Sequence, residues 1–404
     1  MTTSEALLEQ LRAGERRLHD IGEDVSAATA ADIRREFVAE ETETAVSAIG
    51  EYGFDAEAAN SNIENMIGAV QIPCGVAGPV LISGNYLDGK SYLPMATTEG
   101  ALLASVNRGC SVISDAGGAN VRVLKSGMAR APVFRVDDVA AVEALCEWVD
   151  SNEERLTSAA EGTTSHGEVL DITPYSVGRS VYLRFRYDTK DAMGMNMATI
   201  ATEAACELIE AETTAELVAL SGNLCTDKKP AAMNAIEGRG HSVTADITIP
   251  TAQLTERLHT TPAAFAEVNT RKNLVGSAKA GSLGFNAHVA NVVAGIFLAT
   301  GQDEAQVVES ANAITTAEVR DNGLYLSVTL PSLEVGTVGG GTTLPMQSEA
   351  LEMIGVKGGG DPPGTNAKGL AEAIAVGCLA GELSLIAALS SRHLSSAHTA
   401  LGRE

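Results

Sequence analysis

The chain has 404 residues, more than one hydrophobic core usually covers, and its 45% hydrophobic and 20% charged content is that of a folded globular protein. Asp and Glu number 52 against 28 Lys and Arg, a formal net charge of −24, and only nine of the basic residues are Lys. That balance argues against nucleic acid and anionic membranes as partners, and suits a protein kept soluble in concentrated salt, as in a halophile, or else an ordinary acidic cytoplasmic enzyme.

Residues 1–50 read as polar amphipathic helices, with Leu7, Leu8 and Leu11 at helical spacing and no basic segment or apolar run of a signal peptide. From Asn65 the texture becomes short apolar runs broken by Gly and Pro, which predicts strands and turns. Gly84–Ser91 formally matches a phosphate-binding loop, but Pro94 would break the helix such a loop needs, so Asp88–Gly89 is read as a hairpin turn. A helix is expected from Thr97–Thr98 to Ala116–Gly118, with threonine as its N-cap and Glu99 in its first, buried turn. Between 131 and 219 strand-like runs alternate with helical runs at Asp138–Asn152 and Met195–Leu220, enough for a small separate α/β domain. An apolar helix over Asn286–Thr300 stops at Gly301, and a glycine-dense VGTVGGGTTLP follows later. The apolar stretches at Val292–Ala299 and Ala373–Leu389 are short or interrupted by Glu382, so neither is read as a membrane span.

No GxGxxG follows a strand, so a standard Rossmann site is not encoded. The six Cys show no CxxC spacing and there is no HExxH, which predicts buried free thiols and no metal. Glu99, Lys228 with Lys229, Asp303 and His398 stand out in apolar or small-residue surroundings. Taken singly, each reads as structure: a helix cap, a solvated pair, a tail histidine. Spacing alone does not join them.

Five segments do. MATTEGALLAS, DAMGMNM (Asp191–Met197), DKKPAAMN (Asp227–Asn234), GQD (Gly301–Asp303) and GTVGGGT (Gly336–Thr342) resemble the catalytic portion of 3-hydroxy-3-methylglutaryl-CoA (HMG-CoA) reductases. ENMIGAVQIPCGVAGP and KNLVGSAKAGSLGFNAHVANVV extend the resemblance from about Glu64 nearly to the C-terminus, and DAMGMNM is similar to the class I, NADPH-using branch. The resemblance implies an α+β multidomain fold: a large domain around a long central helix, with an inserted ferredoxin-like α/β cofactor domain. Its expected parts are an N-terminal helical region (1–50), the large domain in two pieces (51–130 and 220–404, the latter ending in a C-terminal flap) and the small domain (131–219).

It further implies a two-step, NADPH-dependent reduction of HMG-CoA to mevalonate and CoA, the committed step of isoprenoid synthesis. By resemblance, Lys228 is the cation at the developing alkoxide, Asp303 holds it, Glu99 supplies protons and His398 protonates the CoA thiolate. Substrate would meet Ser105, Asn107, Arg108, Arg130, Ser221, Asp227, Lys229, Lys272 and Asn291. Cofactor would meet Arg179, Asp191, Met193, Gly194, Met195, Asn196, Gly339, Gly340 and Gly341. The family works as dimers or dimers of dimers with shared active sites. Other readings are the same fold running oxidatively with NAD, and a non-catalytic acyl-CoA-binding relative. Two departures stand out: His259 and Ser111 lie where the family presents basic residues to CoA phosphates.

Overall fold

The computed structural model describes residues 3–401, and from 392 onward only the helical backbone, so the side chain of His398 lies outside the described residues. The N-terminal region is helical: α1 (Thr3–Arg12) and α2 (Ala27–Thr42) pack Leu7, Leu8, Leu11, Ile21 and Ile33 into a small core of their own. Ser26 caps α2 by accepting the Thr29 N–H.

A large antiparallel assembly carries the rest. Strands β1 (Cys74–Ser83) and β2 (Asp88–Ala96) form a hairpin whose reversal lies at 84–87, so Asp88–Gly89 is already strand and not the turn expected. After α3 (Leu102–Asp115) comes the twelve-residue β3 (Ala119–Arg130), which belongs to two sheets at once. Its first part pairs with β8 (Gly240–Pro250), which continues to β10 (Gly323–Leu333) and β9 (Ile314–Arg320). Its last three residues pair with β6 (Ser180–Asp188) of the second sheet.

That second sheet has the order β7–β4–β6–β5, with β4 (Val133–Arg135), β5 (Glu168–Val177) and β7 (Glu216–Ala219). Helices α4 (Val139–Ser151), α5 (Glu153–Glu161) and α6 (Met195–Glu212) complete a βαββαβ unit of ferredoxin-like order. The helical run expected from Met195 to Leu220 therefore ends at Glu212, and its β-branched tail is the edge strand β7. This unit has its own core, from Met128 and Phe134 through Phe185 and Tyr187 to Ile209.

The remaining helices are α7 (Ala232–Glu237), α8 (Thr251–Leu258), α9 (Pro262–Val268), α10 (Ser277–Ala280), α11 (Val289–Thr300), α12 (Val307–Ser310), α13 (Pro345–Ile354) and α14 (Thr365–Leu401). The 37-residue α14 is about 55 Å long and runs through the main core. It is long and apolar enough to cross a membrane, but 83% of its most apolar window is buried inside the protein, as expected of a core helix. Two acids survive inside it because each cradles backbone amides. Glu372 accepts from Asn85, Tyr86 and Leu87 N–H; Glu382 accepts from Ala287 and His288 N–H and from the Thr315 hydroxyl. The amides of the formal phosphate loop are thus already bound to a carboxylate of the chain itself.

Candidate active site

The loop after β7 carries Lys228, and its backbone is unusual. Asn223, Thr226 and Lys228 have φ of 64°, 55° and 56°, left-handed values that L-residues adopt at a cost. The Lys228 ammonium lies 2.8 Å from Asp303 Oδ2, and the hydrogen bond to Asp303 is the main cause of its raised pKa. Asp303 is fixed in turn as the N-cap of the turn at Glu304–Gln306, accepting the Ala305 N–H. Lys229 turns back to the Asp227 carbonyl at 3.1 Å.

The glycine-dense segment packs on the two residues before Asp303. Gln302 accepts the Gly336 N–H at 2.9 Å, and a Cβ on Gly301 would sit 2.4 Å from the Gly341 carbonyl, so only glycine permits the approach. The same segment meets the start of α6: Thr337 N–H donates to the Asp191 carbonyl, Ala192 bridges Val338, and a Cβ on Gly336 would strike the Met193 amide at 2.4 Å. Asp191 is buried, and its carboxylate accepts from Gly360, Gly364 and Ala367 N–H, so it pins the entry of α14 against this corner. Gly339 and Gly340 have positive φ, and added Cβ atoms there would meet nothing within 4 Å. They form an exposed backbone turn directly after the Ala192–Val338 bridge.

Arg179 is not brought to this corner. It is exposed in the turn before β6, at the other end of that nine-residue strand, roughly 30 Å away at 3.3 Å per residue. Its guanidinium donates to the Asp137 carbonyl instead.

Glu99 occupies a second place. The helix begins at Leu102, not at Thr97, because Ala101 takes φ of 71° and the Thr97 hydroxyl accepts the Glu99 N–H. Glu99 is therefore exposed in the turn before the helix, not buried in its first turn as the sequence suggested. Its Oε1 accepts from Asn291 at 3.3 Å, in a cavity of about 160 Å³ lined by Ile72, Thr98, Leu102, Gly295 and Leu298. On the same side, Ser105 and Arg108 both bond Ser384 of α14, and Asn107 accepts the Gly78 N–H.

No hydrogen bond or ion pair among the described residues joins the Glu99–Asn291 pair to the Lys228–Asp303 pair. Helix α11 separates them, with Asn291 in its first turn and Asp303 beyond its last; the rise from Asn291 to Thr300 alone is about 14 Å. Arg130 is half-buried with its Nε unpartnered, Ser221 lies 3.3 Å from Cys225 Sγ, and Lys272 is exposed.

Sequence reasoning missed three features. Arg257 donates to Ser111 at 2.8 Å and pairs with Asp115, so a cation stands beside the neutral serine; Arg257 lies two residues before His259. Cys74 is exposed, unlike the buried thiols expected. Behind Lys228, a buried Arg239 contacts Asp227, Glu309 and Glu334. The GRG of EGRGHS was its only sequence signal, and a buried arginine cannot be told from an exposed one by type.

Comparison with known proteins bears on the whole chain. Residues 30–403 match the family model for hydroxymethylglutaryl-coenzyme A reductase. The chain is similar to the 3-hydroxy-3-methylglutaryl-coenzyme A reductase of Haloferax volcanii, 69% identical over 403 residues with 100% of each chain covered. It is 66% identical over 398 residues to the enzyme of that name from Halobacterium salinarum, with 98% of each covered. Among solved structures, a class II reductase from Streptococcus pneumoniae bound to NADPH aligns with TM-score 0.67 at 19% identity, covering 96% of this chain and 97% of that one. At that identity the likeness speaks for the fold alone.

Proposed function

The chain belongs to the hydroxymethylglutaryl-coenzyme A reductase family, and from that premise we propose that it reduces (S)-HMG-CoA to (R)-mevalonate and CoA in two steps with NADPH. The observation that carries the reading is the Lys228–Asp303 ion pair, with the glycine-dense segment packed on Gly301 and Gln302 just before Asp303.

Each reduction leaves negative charge on a carbonyl oxygen, and a fixed cation at that oxygen lowers the barrier because it is already oriented when the charge appears. Lys228 is that cation. Asp303 keeps it protonated and aimed, and is itself held by the Ala305 amide. Glu99 delivers protons to the alkoxide, with Asn291 orienting its carboxyl. By family match, His398 protonates the departing thiolate and closes with a C-terminal flap. NADPH, when bound, supplies the hydride; the backbone of Gly339–Gly341 and the start of α6 at Gly194–Asn196 hold it, and the small domain of 131–219 is the cofactor domain. Ser105, Asn107, Arg108, Arg130, Ser221, Asp227, Lys229 and Lys272 bind the acyl-CoA.

Within one chain the proton donor and the cation sit at opposite ends of α11, so we read the complete site as shared between two copies in a homo-oligomer. The DAMGMNM segment favours class I, and the charge of −24 favours a cytoplasm of high salt.

The test is NADPH oxidation with HMG-CoA in molar KCl, alongside thiol release. The proposal expects two NADPH per CoA and a strong preference over NADH. A folded protein that oxidises neither cofactor refutes it.

A further inference from the structure

Behind the lysine, one buried guanidinium faces three carboxyls, two of them fully buried. Arg239 Nη1 lies 3.1 Å from Asp227 Oδ1, 3.1 Å from Glu309 Oε1 and closer still to Glu334 Oε2. The side chains of Arg239, Glu309 and Glu334 have no exposed surface. One oxygen from each acid lies within 4.8 Å of the others, a spacing that could hold a metal ion. The guanidinium nitrogen already stands where they converge, so the trio has its cation.

Glu309 also reaches forward. Its Oε1 accepts the Lys228 N–H at 2.7 Å, the amide of a residue held in the left-handed region. A loop with three such residues keeps its shape only where its surroundings over-determine it. Here the fixings include the Thr226–Asn234 contact, the Asn234 amide's bonds to the Thr226 and Lys229 carbonyls, and the Glu309 acceptor.

Two oxygens of this cluster are left over. Glu309 Oε2 and Glu334 Oε1 are buried with no hydrogen-bond partner. Two desolvated carboxylates side by side favour the state in which one keeps a proton, and that proton gives both spare oxygens a partner. The other groups facing the pair are Asp227 and Cys225 from the Lys228 loop, Lys228 itself, paired to Asp303, and the Ser310 hydroxyl, which accepts the Glu334 N–H. Burial pushes both glutamic acids up from the ordinary carboxyl range, Glu334 the further.

We propose that Glu309 is a positioning residue for Lys228, fixing the lysine's backbone through Oε1 while it shares a single proton with Glu334. The inference rests on the reading of Lys228 as the cation at the reacting oxygen.

Glu309→Gln keeps the acceptor and replaces the shared proton with a permanent amide N–H; Glu309→Leu keeps the bulk and removes both. The Gln variant should hold kcat within about threefold of wild type, and the Leu variant should lose at least tenfold in kcat with Kd for NADPH and KM for HMG-CoA changed by less than about twofold. Wild-type kcat in the Leu variant, or a Gln variant as slow as Leu, overturns the proposal.

A second readout needs no catalysis. A carboxyl whose folded pKa is raised adds stability that is present at low pH and lost as pH rises through that raised value. The Gln variant has no such proton to lose, so its Tm minus that of wild type should grow as pH rises above the ordinary carboxyl range. A flat difference overturns the shared proton, and this comparison decides the matter if the Leu variant does not fold. A wild type silent with HMG-CoA overturns the reaction assignment, while the Tm comparison still tests the pair.

Discussion

At the scale of single residues, the account turns on how Lys228 is kept charged and still. Asp303 holds the ammonium above its ordinary pKa, so removing that carboxylate must bring the pKa down. Asp303→Asn should therefore lower kcat by roughly a hundredfold and move the alkaline limb of its pH profile to lower pH. An unmoved alkaline limb would mean that the pair does not set the lysine's protonation. The residues of this pair and their contact were expected through motif resemblance; spacing alone could not give the contact, because 75 positions separate them. Glu99 was also visible, but its exposure was not, since the left-handed Ala101 that delays the helix carries no compositional mark. Arg179 was a candidate for cofactor phosphates by family match, and the direction of β6 takes it to the far end of the small domain within one chain.

At the scale of elements, the main core is organised by the crossing of α3 and α14. Gly109 allows it: a Cβ there would lie 2.0 Å from the Ala380 carbonyl, which is backbone and cannot rotate away. Gly109→Ala should cost about 1–3 kcal/mol of stability, read as a lower Tm and urea midpoint. An unchanged Tm would show that the two helices part without penalty. The buried acids of α14 explain why an apolar stretch with Glu382 in its middle belongs to the protein's core. The carboxylate satisfies amides at the entry to α11 that would otherwise be buried unpaired. The sequence showed an interruption there but not its partners, which lie about a hundred residues away. The small unit was legible as β/α alternation and its ferredoxin-like order only as what the resemblance implied, whereas its edge strand β7 was absorbed into the preceding helix because Glu216–Ala219 is too short to show a period of two.

At the scale of the whole molecule, two properties govern behaviour. The first is charge. With −24 on one chain, self-repulsion opposes the compact state at low ionic strength, where the Debye length is about 10 Å at 0.1 M, and is screened near 1 M, where it is about 3 Å. Raising KCl from about 0.1 M to about 2 M should lift Tm by roughly 5 °C or more; a fall would remove the argument for a saline cytoplasm. The second is the division of the proposed site, with Lys228 and Asp303 at one end of α11 and Glu99 with Asn291 at the other. Composition could not reveal that division, because it follows from helix length and loop placement. Subunit mixing tests it most directly. Glu99→Gln and Lys228→Ala are each expected to be inactive alone. If the site is shared between two copies, co-refolding them yields hybrids in which one site carries neither substitution, and about a quarter of wild-type activity returns. Two folded, inactive variants whose mixture stays inactive would contradict the shared site.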